Sequence, residues 1–409
     1  MYRILFFLFL LPNFCLSQSL EELEDALKAA QDKNNAEEII FTHKKLQSYY
    51  AKVTDWENFT RQYLEIAAQY YYQDDMNAFQ SYADSALLAA QQYDIDSYSE
   101  VYSLIWNYLG IHYSYIGDTE KALMTFLKDL EISESLSKID STYDDLSLGQ
   151  SYENIATQYS TLGDYSKAFD YYTLALQKYD PQDKSTATAY VNLGVDYQKQ
   201  EKYQRAAHYF NQALEIFNQL KNDQEYVSNE IWVYKQLTVL SNDMKHFDDS
   251  YKYLEQVNEL TPNKNDLDAA WYYQVRGGTD LQIGNLSDAE QHFFKALTIY
   301  TSLLPEKHPD LSACLDEIGD YYRKLESHEQ ALNYYHSALV ALLPSFNANA
   351  VEVNPTIEQA KYDIESLVIL KHKAQSLRAV NKLQASKSTL QLAIQLIDQI
   401  RYNYLAEGS

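Results

Sequence analysis

The sequence predicts an all-α fold, a long stack of antiparallel helix pairs. Three observations carry that reading. A turn–Ala–aromatic motif recurs along the 409 residues, and a second small residue stands twelve positions ahead of most motif alanines. Glycine and proline are scarce, 10 and 7 in all, which leaves little material for a loop-rich β fold.

The chain opens on MYRILFFLFLLPNFCLSQSLEE, where Arg3 precedes an apolar run from Ile4 to Leu11 and small residues precede a cleavage point after Ser17. Residues 1–17 therefore read as a signal peptide whose apolar run is too short for a membrane span. The expected location is exported, periplasmic or cell-envelope associated. A lipid anchor on Cys15 is the rival reading, disfavoured by Phe14 and Asn13 in front of it. Cleavage would leave Cys314 as the one remaining cysteine, so no internal disulfide is expected.

Residues 19–404 read as about nine helical hairpins. The segment 25–50 is a divergent first one. The comb itself follows in IGDTEKALMTF (116–126), LGDYSKAFDYY (162–172), QEKYQRAAHYF (200–210), IGNLSDAEQHF (283–293) and LESHEQALNYY (325–335). Each has an Ala fifth after the turn residue and an aromatic four further on. Weaker copies lie at 72–82 and 244–254, which puts the anchor positions at 78, 122, 168, 206, 250, 289, 331 and about 386. Three beyond the aromatic the residue is usually small again, as in Ala175, Ala213, Ala296 and Ala338.

The other half of each hairpin holds Gly110, Ala156, Gly194, Gly277 or Gly319, commonly with Tyr three later, as in Tyr113, Tyr159, Tyr197 and Tyr322. A glycine inside a helix costs about 1 kcal/mol against alanine, so recurrence in register implies a packing cause. Small residues mark where helix A crosses helix B, and aromatics fill the adjacent grooves. Gly117, Gly163 and Gly284 occupy the A–B turns, while Pro181, Pro262, Pro305, Pro309, Pro344 and Pro355 stop helices between pairs. Segments 367–380 and 388–404 form a divergent last hairpin, and 405–409 reads as a truncated linker into a missing C-terminal region.

These pairs resemble tetratricopeptide repeats, and the resemblance implies a right-handed superhelix, an α-solenoid. Residues 306–340 look like the longer repeats of kinesin light chains and bacterial relatives. Ser250 and Leu254 in place of Ala and aromatic, and Asp129 at a usual Ala, depart from the pattern. A narrower resemblance joins ALLPSFNANAVEVNPTIEQAKYDIESLVILKHKAQSL and TLQLAIQLIDQIRYNYLAEGS to the repeat region that precedes the CHAT (caspase-like protease) domain in large bacterial proteins of the Bacteroidetes type. It implies an interaction arm whose protease part is absent from this chain.

Chemistry is sparse. The charge of −25, from 33 basic and 58 acidic residues without a basic cluster, disfavours nucleic acid and anionic lipid as partners. Cys314 in LSACLDEIG reads as a small buried hydrophobe. The nine histidines form no metal-binding spacing, and VRGGTD (275–280) lacks the spacing of a phosphate loop. No catalytic residue, cofactor or metal is expected.

Stacked hairpins curve, and helix-A residues facing away from helix B line the inner wall. Counted from the small position, offsets −3, −2, +1 and +4 face inward. The candidate groove residues are Asn107, Glu153, Asn154, Thr157, Asn192, Val195, Gln198, Gln274, Asp316 and Arg323. Asn154 and Asn192 share one position in successive repeats, where an amide can both donate to and accept from an extended chain. In the resembling family such an Asn holds peptide backbone. Trp106, Trp232 and Trp271 offer an aromatic or apolar anchor site, or are core. The expected function is a non-catalytic protein- or peptide-binding scaffold whose ligand is a protein or peptide, with its own missing C-terminal domain as one candidate. The alternatives are a hydrolase site inside the array or a purely structural spacer.

Overall fold

The computed structural model describes residues 19–73, 75–139, 145–220, 227–261, 263–360 and 364–407. The expected signal peptide, Asp74, Pro262 and the last two residues lie outside these. Two compact units divide the chain, Met1–Pro181 and Gln182–Ser409.

In the first unit the helices pair as α1 (Leu20–Asp32) with α2 (Ala36–Val53), α3 (Trp56–Tyr72) with α4 (Met76–Gln92), α5 (Glu100–Tyr115) with α6 (Thr119–Ile139), and α7 (Asp145–Thr161) with α8 (Tyr165–Leu176). The second unit begins with α9 (Lys184–Lys199) on α10 (Tyr203–Gln219) and α11 (Val227–Asp243) on α12 (Phe247–Leu260). It continues with α13 (Leu267–Ile283) on α14 (Leu286–Leu303) and α15 (Pro309–Lys324) on α16 (His328–Leu342). The short α17 (Ile357–Ala360) precedes the final pair, α18 (Ile364–Ala379) and α19 (Leu383–Glu407). Each unit is a stack of antiparallel pairs wound as a right-handed superhelix, with helix B of one pair packed on helix A of the next. The last helix runs through residue 404 to Glu407, so 405–407 are helical rather than linker.

One turn joins the two helices of every pair. Its closing residue donates its backbone N–H to the carbonyl five residues back, for example Asp164 to Tyr159 at 2.9 Å and Asn285 to Asp280 at 2.8 Å. Where the preceding residue is described it adopts the left-handed conformation, with φ of +75° at Gly163 and +95° at Gly284. Glu201, Lys245, Glu326 and Asn381 fill the same place at φ of 58–62° without glycine's freedom. Asp118 and Asp164 then cap helix B, accepting the backbone N–H of Lys121 and Lys167 at 3.2 Å.

The crossing points explain the helix-A glycines. A Cβ on Gly110 would stand 2.5 Å from Phe126, one on Gly194 2.4 Å from Phe210, and one on Gly319 2.5 Å from Tyr335. In these pairs the aromatic four past the motif alanine therefore packs directly against the glycine backbone of its own helix A. One turn further along, rings of the two helices stack: Tyr159 on Tyr171 at 5.6 Å, Tyr197 on Tyr209 at 5.5 Å and Tyr322 on Tyr334 at 5.3 Å. In α13–α14 the equivalent residues are Asp280 and His292, hydrogen-bonded at 2.8 Å.

One sequence reading of the register needs correction. The anchor of α4 is Phe79, not residue 78: Phe79 is buried and Ala78 is half-buried. Counting from the capping Asp75 restores the common spacing, and Ala83 takes the aromatic's place, so large and small are exchanged. Ser250 and Leu254 are both fully buried, so packing continues through α12.

Asp129 has a specific cause. It is buried among Ser103, Ser133, Ser151 and Asn107, accepting from Ser103 and, at 2.7 Å, from Ser151. Burial raises its pKa, and the four hydrogen bonds oppose that rise. Where other repeats put alanine, this one builds a polar knot joining α5, α6 and α7.

Candidate functional site

By helix geometry the offsets −3, −2, +1 and +4 lie within one arc of helix A, and many of the side chains there are bound to neighbours. In the first unit Asn107 donates to Asp129 at 3.4 Å. Glu153 accepts the Tyr179 hydroxyl at 2.7 Å, and the Thr157 hydroxyl donates to the Glu153 carbonyl at 3.0 Å. Asn154 is half-buried beside them, and its side chain makes no hydrogen bond among the described residues. Trp106 lies under the Lys128 ammonium, 4.0 Å from the ring centroid.

In the second unit Asn192 and Val195 are half-buried on α9, Val195 against the apolar cluster around Phe210. Gln198 donates to Asp243 of the next helix A at 2.7 Å. Asn154 and Asn192, equivalent in sequence, belong to different units. Trp271 lies under Lys235, whose ammonium also pairs with Asp268 at 2.6 Å. Trp232 packs partly buried on the same cluster as Val195.

From α13 to α18 the wall becomes a connected polar line. Gln274 at offset −3 donates to Glu317, offset −2 of the next pair, at 2.9 Å. One pair on, Asp316 at −3 meets His372 at −2, 3.2 Å apart. The −3 side chain of one pair thus reaches the −2 side chain of the next. Asp320 stands 3.6 Å from His372, is paired with Arg323 at 2.9 Å and accepts the Tyr335 hydroxyl at 2.6 Å. Sequence reasoning named Gln274, Asp316 and Arg323 but left out His372 and Asp320, which the same −2 and +1 offsets identify once Ala374 is taken as the small residue of α18.

Electrostatics follow from this crowding. Burial pushes the Glu317 carboxyl up to about 8, with Asp316 and Asp320 adding to the rise and Gln274 opposing it. Burial also raises Asp316, against the pull of His372. For His372 burial acts downward, but the hydrogen bond and charge of Asp316, with Asp320, win and raise it. The result is a wall with hydrogen-bond donors and acceptors side by side, in which Glu317 is mostly neutral at pH 7 and Asp316 and Asp320 face Arg323 and His372.

Cys314 is fully buried, its thiol raised by burial, its sulfur 4.0 Å from the Phe293 carbonyl. Among the described residues no cluster of His, Cys, Asp and Glu could hold a metal ion, and no helix is long and apolar enough to cross a membrane.

Residues 143–219 and 269–340 match the tetratricopeptide repeat family. No curated protein matches the sequence. Among solved structures, the apo quorum sensor NprR from B. thuringiensis is similar at 14% identity and TM-score 0.60, over 92% of this chain and 97% of that one. NprR in complex with its cognate peptide NprX gives 14% and 0.55 over 92% and 98%, and apo RapI 16% and 0.53 over 69% and 97%. The chain is an all-α solenoid whose fold is like that of tetratricopeptide-repeat proteins, with repeats of that family matched in two stretches.

Proposed function

We propose that this chain is a protein- or peptide-binding scaffold that grips its ligand along the helix-A walls. The observation that supports this most is the line Gln274–Glu317, Asp316–His372–Asp320–Arg323. It sets Asp320 and Arg323, about a third exposed, beside His372, with carboxylate lone pairs and guanidinium donors to spare for a peptide backbone. Likeness in fold to NprR, one of whose structures holds its cognate peptide, points the same way. The chain's net charge of −25 favours a ligand segment carrying Lys or Arg.

Selection from a displayed peptide library, followed by fluorescence anisotropy on the enriched peptides, tests the reading. Binding should weaken at least tenfold, about 1.4 kcal/mol, in Arg323→Ala and in the double variant Asn154→Ala/Asn192→Ala. Equal affinity in the double variant removes the role of the two asparagines. Failure to enrich any peptide leaves the spacer reading in its place.

The finer reading, an interaction arm of a caspase-like protease protein, rests on the resemblance of segments 341–377 and 389–409 to the region preceding CHAT domains. Coding sequence downstream of Ser409 tests it, and a reading frame without a His–Cys pair there ends it. Export rests on residues 1–17, and recovery of intact Met1 from envelope or medium fractions would count against it.

A further inference from the structure

We propose that Gly278 of α13 and Glu317 of α15 form one subsite of the wall. There an extended peptide ligand lays its main chain against the bare Cα of Gly278 and offers a carbonyl to the Glu317 carboxyl. This rests on the scaffold reading and specifies which part of the ligand the point receives.

The other described glycines each have a cause within the fold. Gly110, Gly149, Gly194, Gly277 and Gly319 lie against rings, where a Cβ would stand 2.3–2.9 Å from a Phe or Tyr carbon. Gly117, Gly163 and Gly284 occupy turns at φ of +75° to +95°. Gly278 has neither reason. It is half-buried inside α13, without a positive φ. A Cβ there would meet only Oε2 of Glu317, at an ordinary 3.4 Å. Alanine would fit and would make a better helix. A glycine where no protein atom needs the space leaves room for another main chain to pass closely.

The atom across that gap suits a carbonyl. Gln274, one turn before Gly278, donates to Oε1 of Glu317 at 2.9 Å. That bond fixes the carboxyl and leaves Oε2 without a hydrogen-bond partner among the described residues. Burial raises this carboxyl's pKa to about 8, so at pH 7 it is mostly protonated. With Oε1 accepting from Gln274, the proton belongs on Oε2, where the O–H can donate to a peptide carbonyl. Neighbours at the same +1 offset describe the rest of the segment. Val239 of α11 is 37% exposed, and Asp320 of α15 is partly exposed. The ligand is thus an extended segment with an apolar residue toward α11 and Lys or Arg toward Asp320. A small residue between them lets its main chain come close.

Fluorescence anisotropy tests this, with labelled peptides enriched on the parent chain from a displayed library and urea unfolding as the folding control. Gly278→Gln fills the gap and should weaken those peptides about tenfold, with unfolding free energy no lower than the parent's. A glycine with a purely structural role would not lose binding while keeping stability. Glu317→Ala should weaken them by a similar factor, and Glu317→Gln, whose amide still donates, should restore most of the affinity. Parent-like affinity in either Gly278→Gln or Glu317→Ala overturns the subsite and leaves the scaffold reading standing. If no peptide is enriched on the parent, both fall together.

Discussion

Replacing Gly194 by alanine adds one methyl group at the point where α9 crosses α10. On propensity alone the change should stabilise the helix by about 1 kcal/mol. The new Cβ would stand 2.4 Å from Cε1 and 2.6 Å from Cδ1 of Phe210. Carbon atoms rest at about 3.5–4.0 Å, so the ring must retreat by roughly 1 Å. It has nowhere to go, being fully buried with Ala187, Val191 and Phe217 in the same core cluster. Overpacking of this kind costs about 1–3 kcal/mol, and a rigid ring takes the upper end. Gly194→Ala should therefore lose about 1–2 kcal/mol net, once the propensity gain is subtracted.

Urea unfolding followed at 222 nm measures it, with two internal controls. Gly278→Ala, on α13 of the same unit, meets only the Glu317 carboxylate at 3.4 Å. It should gain about 0.5–1 kcal/mol. Gly117→Ala has open space but φ of +76°, and should lose about 1 kcal/mol from backbone strain alone. In a double-mutant cycle, Phe210→Leu should offset about 1 kcal/mol of the Gly194→Ala loss. If Gly194→Ala is as stable as the parent, the ring-on-glycine account of the repeat is wrong.

Other outcomes follow from the same geometry. Lys245→Gly and Glu326→Gly, at φ of +59° and +60° in the pair turns, should each raise the unfolding free energy from urea titration by about 0.5–1 kcal/mol. Glu317 is raised in the folded state to about 8, so folding favours its neutral form. Stability should decline as pH climbs from about 4.5 toward 8 and level off above, and Glu317→Gln should flatten that slope in pH-dependent melts. Lys373 is fully buried and donates to the Val353 carbonyl at 2.7 Å and to Asn354 at 3.0 Å. Lys373→Ala should cost about 2–4 kcal/mol, and it should speed limited proteolysis within residues 343–356, a rate that gel densitometry follows.

The spacing of small and aromatic residues was enough to place the helices, because each is fixed by a contact inside its own pair. Where the register slipped, at Phe79, the alanine-first pattern had been exchanged for a large residue followed by a small one. The turn's capping Asp75 was the safer landmark. The wall was legible as a face but not as a set of free groups. An offset from Gly319 says where Asp316 points, yet nothing in a one-dimensional period says that His372, fifty-six residues on, will meet it. Asp129 stood out in the sequence as a misfit. Its reason lay in Ser103, Ser133 and Ser151, three unremarkable serines that only the packing of three helices brings to one carboxylate.

The contact of ring on glycine is closed within two consecutive helices. A duplicated or deleted stretch of gene covering one hairpin would therefore carry its own fastening with it and leave the neighbours' fastenings untouched. Such a protein can lengthen or shorten its grip by whole steps, and the joints between hairpins, where spacing already varies, are where such edits should be found.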